Sequence, residues 1–250
     1  MSTQVGVNFI LWKWHQDGFF LRYTAAHVNE MARRIRMNFI APHRIICITD
    51  DPAGVTECET FPLWDDFSHL KNASGNHLPS CYRRLKLFDP DTLGAMNINA
   101  GERVVSIDLD SLIIGDLRPV IFREGTFVGW AVPGTYHRRV FNGSIWMFQA
   151  GMHADLWAGF DPRSSPGECH KRGFLGSDQG WLSYNMATKA PGWVPHRDGV
   201  MSYPRDIRPR RTLPKHCKIV FFHGRQKPWD ASVLREAPWI KNYMSLDLVK

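Results

Sequence analysis

The amino-acid sequence predicts an α/β protein whose sheet is covered by helices on both faces. In the first half, short apolar runs alternate with an amphipathic stretch, which is the pattern of parallel strands joined by helices. Apolar residues make up 44% of the 250 residues and charged residues 22%, as in globular rather than disordered chains. In the second half, turn residues separate the apolar runs, so we expect antiparallel or irregular structure there.

The first half contains the clearest elements. Strands are predicted at residues 5–11 and 44–48, because both are short apolar runs bounded by polar residues. Between them, residues 24–37 carry apolar side chains at helical spacing, and Glu30 and Arg34 form a favourable i,i+4 pair. This strand–helix–strand order predicts a parallel sheet.

The later elements are shorter. We expect helices at residues 80–88 and 178–186, and strands at residues 103–107, 127–131, 144–148 and 218–222. The length of the chain corresponds to one domain, or to two small ones at most.

The composition narrows the possible partners. The formal net charge of +7 favours an anionic partner, and nucleotide, nucleic acid, acidic lipid and glycan all remain open. The five cysteines include no CxxC pair, which argues against a structural zinc site or a disulfide framework. The ten tryptophans are expected mostly in the core, and aromatic faces also suit sugars and bases.

Targeting signals and several enzyme motifs are missing from the sequence. No apolar run reaches the ~18–20 residues required to cross a bilayer, and the N-terminus lacks the features of a secretory signal. We therefore expect a cytoplasmic protein without a membrane span. The GxGxxG, Walker A and GxSxG motifs are absent, so a Rossmann dehydrogenase, a P-loop enzyme and a serine hydrolase lose their best support.

A pair of carboxylates directly follows the predicted strand at residues 103–107. Side chains two apart on a strand point to the same side, so Asp108 and Asp110 would lie about 6–7 Å apart along the backbone. In open α/β sheets, ligands gather beyond the carboxyl ends of the strands. Two hard oxygen donors there suit Mg²⁺ or Mn²⁺ better than zinc. The alternative is that both aspartates only form a turn or cap a helix.

A second candidate segment, HGRQKPW, follows the predicted strand at residues 218–222. His223 can complete a carboxylate-bound metal site, and its nitrogen favours Mn²⁺ over Mg²⁺. Gly224 lets the backbone approach a phosphate closely, and Lys227 supplies a compact positive charge. Alternatively, the segment is a surface turn with a solvated lysine and a packed tryptophan.

Two further segments carry side chains suited to sugar hydroxyls. Asn142 and Gly143 open a predicted strand, and Asp178 and Gln179 open a predicted helix. The ordinary alternatives are a turn for the Asn-Gly pair and an N-cap for Asp178.

Residues 205–216 form a basic stretch with five Arg or Lys residues and one Asp. Such a stretch is usually a solvated loop, but Arg208, Arg210 and Arg211 could instead hold an anionic acceptor, including a nucleic-acid backbone. No aromatic residues are interleaved with these charges, so the stretch does not indicate a stacking platform for bases.

In their order along the chain, these segments resemble GT-A glycosyltransferases of the glycogenin and lipopolysaccharide galactosyltransferase type. The matching segments are the opening apolar strand, 84–88 (RLKLF), 108–110 (DLD), 141–144 (FNGS), 178–179 (DQ) and 224–229 (GRQKPW). The match spans nearly the whole chain, and its order and the final GxxKPW are specific. The likeness is greatest to small bacterial and phage glycosyltransferases with an early Lys-Trp, here Lys13-Trp14, and a Thr-Asp-Asp, here at 49–51.

The resemblance implies a single GT-A domain over residues 1–250, with a Rossmann-like central mixed sheet, a nucleotide-sugar half at 1–115 and an acceptor half at 116–250. It implies transfer from a nucleotide-diphosphate sugar, with Mn²⁺ or Mg²⁺ as cofactor and with retention of configuration. The implied metal ligands are Asp108, Asp110 and His223, and the implied catalytic residues are Asp178, Gln179 and Lys227. The implied donor-binding residues are Asn8, Lys13, Thr49, Asp50, Arg84, Asn142, Gly143 and Gly224.

Two positions depart from the glycogenin-type pattern, which reads His-Phe-x-Gly-x-x-Lys-Pro-Trp. Phe221 stands where the pattern has its histidine, and His223 comes two residues later. Two residues preserve the side-chain face if the strand continues, so His223 can still serve as the third ligand. Arg84 stands where glycogenin-type enzymes have a donor-binding lysine, which keeps the charge but not the geometry.

The donor and the acceptor stay open at this stage. The donor nucleotide can be UDP or GDP. A glycan or lipopolysaccharide precursor fits the family, and a hydroxymethylated DNA base, flipped out of its stack, fits the basic charge and a phage context. Two other classes compete: a metal-dependent nucleotidyl or phosphoryl transferase, and a basic nucleic-acid-binding protein without catalysis, which would bind DNA in a salt-dependent manner.

Overall fold

The computed structural model describes residues 5–15, 23–71, 73, 80–133 and 139–245. It confirms the expected α/β class, with a seven-stranded mixed sheet and a separate three-stranded sheet. Within the described residues, no helix has the length and apolar composition needed to cross a bilayer.

In the main sheet all strands are parallel to one another except β7. Its strand order is β3-β2-β1-β4-β7-β6-β8, and β7 runs antiparallel to both β4 and β6. The small sheet has the order β5-β10-β9. The strands are β1 (Val7–Lys13), β2 (His43–Thr49), β3 (Glu59–Pro62), β4 (Arg103–Ile107), β5 (Ser111–Ile113), β6 (Phe127–Pro133), β7 (Arg139–Gln149), β8 (Gly192–Trp193), β9 (Val200–Ser202) and β10 (Ile219–Phe221).

Most helices are short and lie between the strands. The α-helices are α1 (Ala25–Asn38), α2 (Pro90–Ala95), α3 (Arg118–Ile121), α4 (Asp155–Ala158), α5 (Ser165–Lys171), α6 (Asp178–Met186), α7 (Pro195–Asp198) and α8 (Ala231–Glu236). Among the described residues, three segments are 3₁₀ helices, Cys81–Phe88, Arg208–Arg210 and Pro238–Tyr243, and Tyr203–Ile207 is a π-helical turn.

The alternation of side chains along β1 explains how the main sheet is covered. Phe9 and Leu11 pack with the apolar stripe of α1, whereas Ile10 and Trp12 pack with residues of the 3₁₀ helix Cys81–Phe88 and of α6. A third apolar cluster joins the small sheet to the C-terminal helices. The sheet therefore has two buried faces, as continuous apolar strands predict.

Several elements differ from the sequence-based expectation. β1 ends at Lys13, two residues later than predicted, and β7 is eleven residues long because its extra residues pair with β6. The segment Cys81–Phe88 is a 3₁₀ helix. Strands β3, β5, β8 and β9 were not predicted, because runs of two to four residues carry too little periodicity and depend on tertiary pairing.

Candidate active site

The carboxyl ends of β1, β2 and β4 lie side by side at one edge of the main sheet. The register pairs Lys13 with Thr49, and Lys13 Nζ lies 3.4 Å from Thr49 Oγ1. The same amine donates to the backbone carbonyl of Asp51. β4 is parallel to β1 and ends at Ile107, so Asp108 begins the segment that leaves the sheet at this edge.

Asp108 and Asp110 lie in a three-residue connection between the two sheets. β4 ends at Ile107 and β5 begins at Ser111. A turn thus replaces the expected continuation of the strand, and in it the Asp108 N–H donates to the Ser144 carbonyl at 2.9 Å. The Asp108 side chain is 25% exposed, whereas that of Asp110 is only 4% exposed. One carboxylate is therefore open to solvent and the other is enclosed.

Arg84, in the 3₁₀ helix Cys81–Phe88, bridges Asp108 and Asp178. Its Nη1 lies 2.7 Å from Asp108 Oδ1, and its Nε lies 2.8 Å from Asp178 Oδ2. Nη1 also donates to the Gly143 carbonyl at 3.2 Å. Because Arg84 and Asp178 are both buried, this guanidinium holds the start of α6 against the end of β4.

The close approach of Arg84 requires glycine at position 143. A Cβ atom on Gly143 would lie 2.9 Å from Arg84 Nη2, which is too close for an unstrained contact. The Gly143 N–H donates to Gln179 Oε1 at 3.2 Å, and Asn142 Oδ1 accepts from the Ser144 N–H at 2.9 Å. The Asn-Gly and Asp-Gln pairs of the sequence therefore meet around one guanidinium.

Lys227 approaches the acidic side chains from the side of the small sheet. It belongs to residues 224–229, here called the KPW loop, which follow β10. Lys227 is buried, and its Nζ lies 2.5 Å from Asp110 Oδ2. Trp229 packs against His27 of α1, with 4.5 Å between the ring centroids. The KPW loop is thus attached to Asp110 through Lys227 and to α1 through Trp229.

Burial and ion pairing set the pKa values of the carboxylate cluster, by which we mean Asp108, Asp110, Asp178, Arg84 and Lys227. Burial raises the pKa of Asp178, and Arg84 opposes this rise. Burial likewise raises the pKa of Asp110, and Lys227 opposes it. Burial acts to lower the pKa of Arg84, but Asp178 and Asp108 outweigh it and raise that pKa well above its usual value. Each of these charges therefore depends on its partner.

The carboxylate cluster fits a bound cation. It contains three carboxylates and two cationic side chains, which leaves one negative charge uncompensated. Asp110 Oδ1 is buried and accepts no hydrogen bond from the described residues. Such an oxygen is costly unless a donor or a cation meets it. Two hard carboxylates suit Mg²⁺ or Mn²⁺, which can take their other ligands from phosphate and water.

The expected role of His223 as the third metal ligand stays a prediction. Its Nε2 lies 2.9 Å from Ser202 Oγ, on the neighbouring strand of the small sheet. β10 ends at Phe221, and the ring centroids of Phe221 and His223 lie 5.9 Å apart, so the two side chains remain neighbours beyond the end of the strand. In the part of the chain that the structure describes, no three His, Cys, Asp or Glu side chains are grouped so as to hold a metal ion.

Asn8, which was predicted to bind the donor, lies apart from the carboxylate cluster. Its amide donates to Glu102 at 2.9 Å, and it lies five residues before Lys13 on β1. That spacing corresponds to about 17 Å along a strand, at the end opposite to the carboxylate cluster. Asp50, in contrast, follows β2 at the carboxyl edge, where it accepts from the His15 N–H at 2.8 Å.

Gly224 and the basic stretch lie at the surface beside this site. Gly224 is exposed and has φ = +82°, a left-handed conformation that glycine adopts without strain. Arg208, Arg210 and Arg211 are exposed too, and Arg208 pairs with Glu236 at 3.0 Å. None of the three arginines is an ion-pair partner of the carboxylate cluster.

Two neighbours of the site were missed by the sequence motifs. Tyr23 lies close to Asp110: burial and then the charges of Asp110 and Asp108 raise the pKa of its hydroxyl well above the usual value. The only available signal was an aromatic residue directly before Thr24, the N-cap of α1. Ser202, the partner of His223, ends a strand of three residues that is too short to be recognised.

This architecture is the GT-A fold, defined by the mixed central sheet and the site at the carboxyl edge of its strands. The chain superposes on the galactosyltransferase LgtC in complex with donor and acceptor sugar analogues, with a TM-score of 0.62 over 94% of this chain and 96% of that one, at 12% identity. An active-site mutant of LgtC gives the same TM-score of 0.62 over 95% and 96%, also at 12% identity.

A second glycosyltransferase is less similar in structure. Apo GlyE from Streptococcus pneumoniae TIGR4 superposes with a TM-score of 0.50 at 15% identity, over 92% of this chain but only 57% of GlyE. The sequence itself matches no protein-family model and none of the curated proteins. At these identities the likeness is one of fold.

Proposed function

We propose that the chain is a glycosyltransferase that moves a sugar from a nucleotide-diphosphate donor to an acceptor hydroxyl. The observation that carries the proposal is the carboxylate cluster: three acidic side chains, two cationic ones and an unused Asp110 oxygen at the carboxyl edge of a GT-A sheet. Open α/β sheets bind their ligands at this edge.

When the bond between sugar and diphosphate breaks, negative charge develops on the diphosphate oxygens, and nearby positive charge stabilises it. In the proposal, Asp108 and Asp110 hold Mn²⁺ or Mg²⁺, which when bound offsets the negative charge that develops on the leaving group. Lys227 supplies a second positive charge. Its ammonium has three N–H donors, and Asp110 Oδ2 uses one of them, so two remain for phosphate oxygens.

The donor is proposed to lie along the ends of β1, β2 and β4. Lys13, Thr49 and Asp50 stand at the carboxyl ends of β1 and β2, where a nucleotide would be framed. Arg84 and the amide of Gln179 hold the backbone of Gly143 from both sides, which fixes the surface on which a sugar ring would rest. Both polar groups of the Gly143 backbone are therefore already hydrogen-bonded by side chains of the site.

Retention of configuration is part of the proposal. The acceptor hydroxyl would then attack from the side of the leaving group, and the departing phosphate would take its proton. Asp178 is the one nearby carboxylate that could be tested as a nucleophile, but it is only 1% exposed and lies 2.8 Å from Arg84. These contacts favour a role in positioning Arg84 and the donor sugar.

The proposed acceptor is a glycan. LgtC, which shares the fold over nearly its whole length, has been crystallised with donor and acceptor sugar analogues. A carbohydrate acceptor is therefore the first class of compound to test, ahead of a modified DNA base.

The test is a panel of nucleotide-diphosphate sugars with Mn²⁺ or Mg²⁺, scored by release of nucleoside diphosphate. We expect turnover with at least one donor and loss of turnover when the metal is chelated. Asp110→Asn removes the charge but keeps the shape, and it should lower turnover by at least about a hundredfold. The matched control is Asp116→Asn, because Asp116 is a carboxylate near the surface that pairs only locally, with Arg118.

Three results would contradict the proposal. Release of sugar 1-phosphate instead of nucleoside diphosphate would identify a nucleotidyl transferase. Full activity with a chelator present would remove the metal from the mechanism. Equal activity of Asp110→Asn and Asp116→Asn would show that the carboxylate cluster is not the catalytic site.

A further inference from the structure

A cavity of about 370 Å³ lies beside the KPW loop, among the segments that follow β9 and β10. Its volume is within the range of ligand pockets. One wall touches the loop, because Arg208 Nη1 lies 3.4 Å from Gln226 Oε1, next to Lys227. We call it the arginine cavity; its polar and aromatic lining consists of Tyr203, Arg208, Arg211, Arg235, Glu236 and Trp239.

The charges of the arginine cavity are not balanced. Arg208 and Glu236 form a two-pronged ion pair, with Nε–Oε2 at 3.0 Å and Nη2–Oε1 at 3.2 Å. Arg211 and Arg235 form no ion pair with any described residue, and both are exposed. Two guanidinium groups are therefore available to an anion inside a cavity, where planar donors suit carboxylate and phosphate.

The backbone holds Arg211 in an unusual conformation. The 3₁₀ helix Arg208–Arg210 ends at Arg211, whose φ of +55° is in the left-handed region that side chains other than glycine rarely adopt. At Arg211 the backbone changes direction. The side chain of Arg211 therefore lines the cavity, whereas its neighbour Arg210 is not part of the lining. The basic stretch therefore does not behave as a uniform charged surface.

Aromatic rings complete the lining. Tyr203 is stacked on Phe222 with 4.5 Å between ring centroids, which makes this wall rigid. Trp239 is partly exposed and offers a flat apolar face, while the Glu236 carboxylate can accept from hydroxyl groups. A flat apolar face, a hydrogen-bond acceptor and free guanidinium groups together match a sugar ring that carries a negative group.

We propose that the arginine cavity is a subsite for an anionic sugar, one bearing a carboxylate or a phosphate, in the acceptor glycan. This inference rests on the proposed function, because it assigns a second sugar of the same acceptor. The loop that carries Lys227 to Asp110 also forms the contact between Gln226 and Arg208, so one acceptor chain can reach from the cavity to the carboxylate cluster.

The experiment measures binding of digalacturonate by titration calorimetry, with lactose as the neutral disaccharide and without any donor. We expect the wild type to bind digalacturonate and not lactose. Arg211→Gln and Arg235→Gln should each weaken binding by about tenfold or more, the usual effect of losing one charged hydrogen bond. Arg210→Gln is the matched control from the same stretch and should bind like the wild type.

Four outcomes would overturn the inference. Equal weakening by Arg210→Gln and Arg211→Gln would mean diffuse charge attraction, and equal binding of lactose would mean that no anion is recognised. Tighter, Arg211-dependent binding of a short single-stranded oligonucleotide would make the occupant a nucleic acid. Release of nucleoside diphosphate by a wild type that does not bind digalacturonate would overturn the subsite alone. Binding without turnover of any donor would support the anionic-sugar site and overturn the proposed transferase.

Discussion

The carboxylate cluster and the arginine cavity differ in the burial and pairing of their charged side chains. In the cluster, Arg84, Asp110, Asp178 and Lys227 are buried, and each has an oppositely charged partner within 2.8 Å. In the cavity the arginines are exposed, and two of the three have no ion-pair partner among the described residues. Because isolated charges are costly only when they leave water, burial demands pairing and exposure does not. The cluster is therefore a fixed framework, and the cavity is a surface with free binding capacity.

The largest effect that can test this comparison is on stability. Arg84→Ala leaves Asp178 and Asp108 without their shared partner, and we expect it to lower the free energy of unfolding by about 3–5 kcal/mol. Arg211→Ala, in the cavity, should change it by less than about 0.5 kcal/mol, as is usual for exposed residues. Chemical denaturation at pH 7 measures both.

The pH dependence of the same variants sharpens the result. Burial raises the pKa of Asp178, and without Arg84 the hydrogen bond from the Gln179 backbone is the main effect that still opposes that rise, so the carboxyl should take up a proton as the pH falls. The loss in the free energy of unfolding caused by Arg84→Ala should therefore become smaller as the pH is lowered from 7 to 5. If Arg84→Ala were no less stable than Arg211→Ala, the idea that the cluster is held by buried pairing would fail.

A smaller effect is expected from adding one methyl group beside Arg84. Gly143→Ala would place a Cβ 2.9 Å from Nη2 of a guanidinium that two carboxylates hold, so the strain cannot be relieved by a simple rotation. We expect a loss of about 1–3 kcal/mol in the free energy of unfolding.

The matched control is Gly167→Ala in α5, where no atom lies within 4 Å of the added Cβ. This change should be neutral or should stabilise the helix by up to about 1 kcal/mol. Thermal melting of the two variants compares them directly. Equal melting temperatures of the two variants would show that the region around Arg84 accommodates an added methyl group as easily as the surface does.

The smallest predicted effect concerns the contact between the KPW loop and α1. Burial lowers the pKa of His27 from 6.5 to about 4. The unfolded chain then binds a proton more readily than the folded one, so the contribution of neutral His27 is present above pH 6.5 and is lost as the pH falls towards 4. Between pH 7 and pH 5 we expect a loss of about 1–2 kcal/mol from this group.

His27→Gln isolates this contribution. His27 Nδ1 accepts from the Thr24 N–H at 3.1 Å, and glutamine can take over this capping contact without a charge change in this range. The free energy of unfolding should therefore fall less steeply with decreasing pH in the variant than in the wild type. Parallel pH profiles would mean that His27 does not titrate as its burial requires.

The sequence predicted those parts of the fold in which apolar side chains recur with a clear strand or helix period. β1, α1, β2 and β4 were recognised because their side chains are buried on sheet or helix faces with clear periodicity. Asp108 and Asp178 could be singled out because they follow or begin such elements, and Arg84 because of the family resemblance. Their mutual contacts could not be read from the sequence, because residues 84, 108 and 178 meet only through the packing of three different elements.

Two predictions about site residues depended on tertiary contacts that the sequence does not reveal. His223 was expected on the face of Phe221, and the two ring centroids lie 5.9 Å apart, but the sequence did not indicate the contact of His223 with Ser202. Asn8 was expected to bind the donor and lies near the start of β1, because a polar residue in a short strand does not reveal which end it occupies. The arginine cavity was split between residues 203–211 and 235–239, which no local motif connects.

The three residues between β4 and β5 have a consequence for the whole molecule. They are the shortest covalent connection between the large sheet and the small one, and they carry two of the three acidic side chains of the site. Any ligand that binds both Asp108 and Asp110 therefore binds the segment that joins the two sheets. We expect such a ligand to stabilise both sheets against unfolding, which a probe placed on either sheet would report.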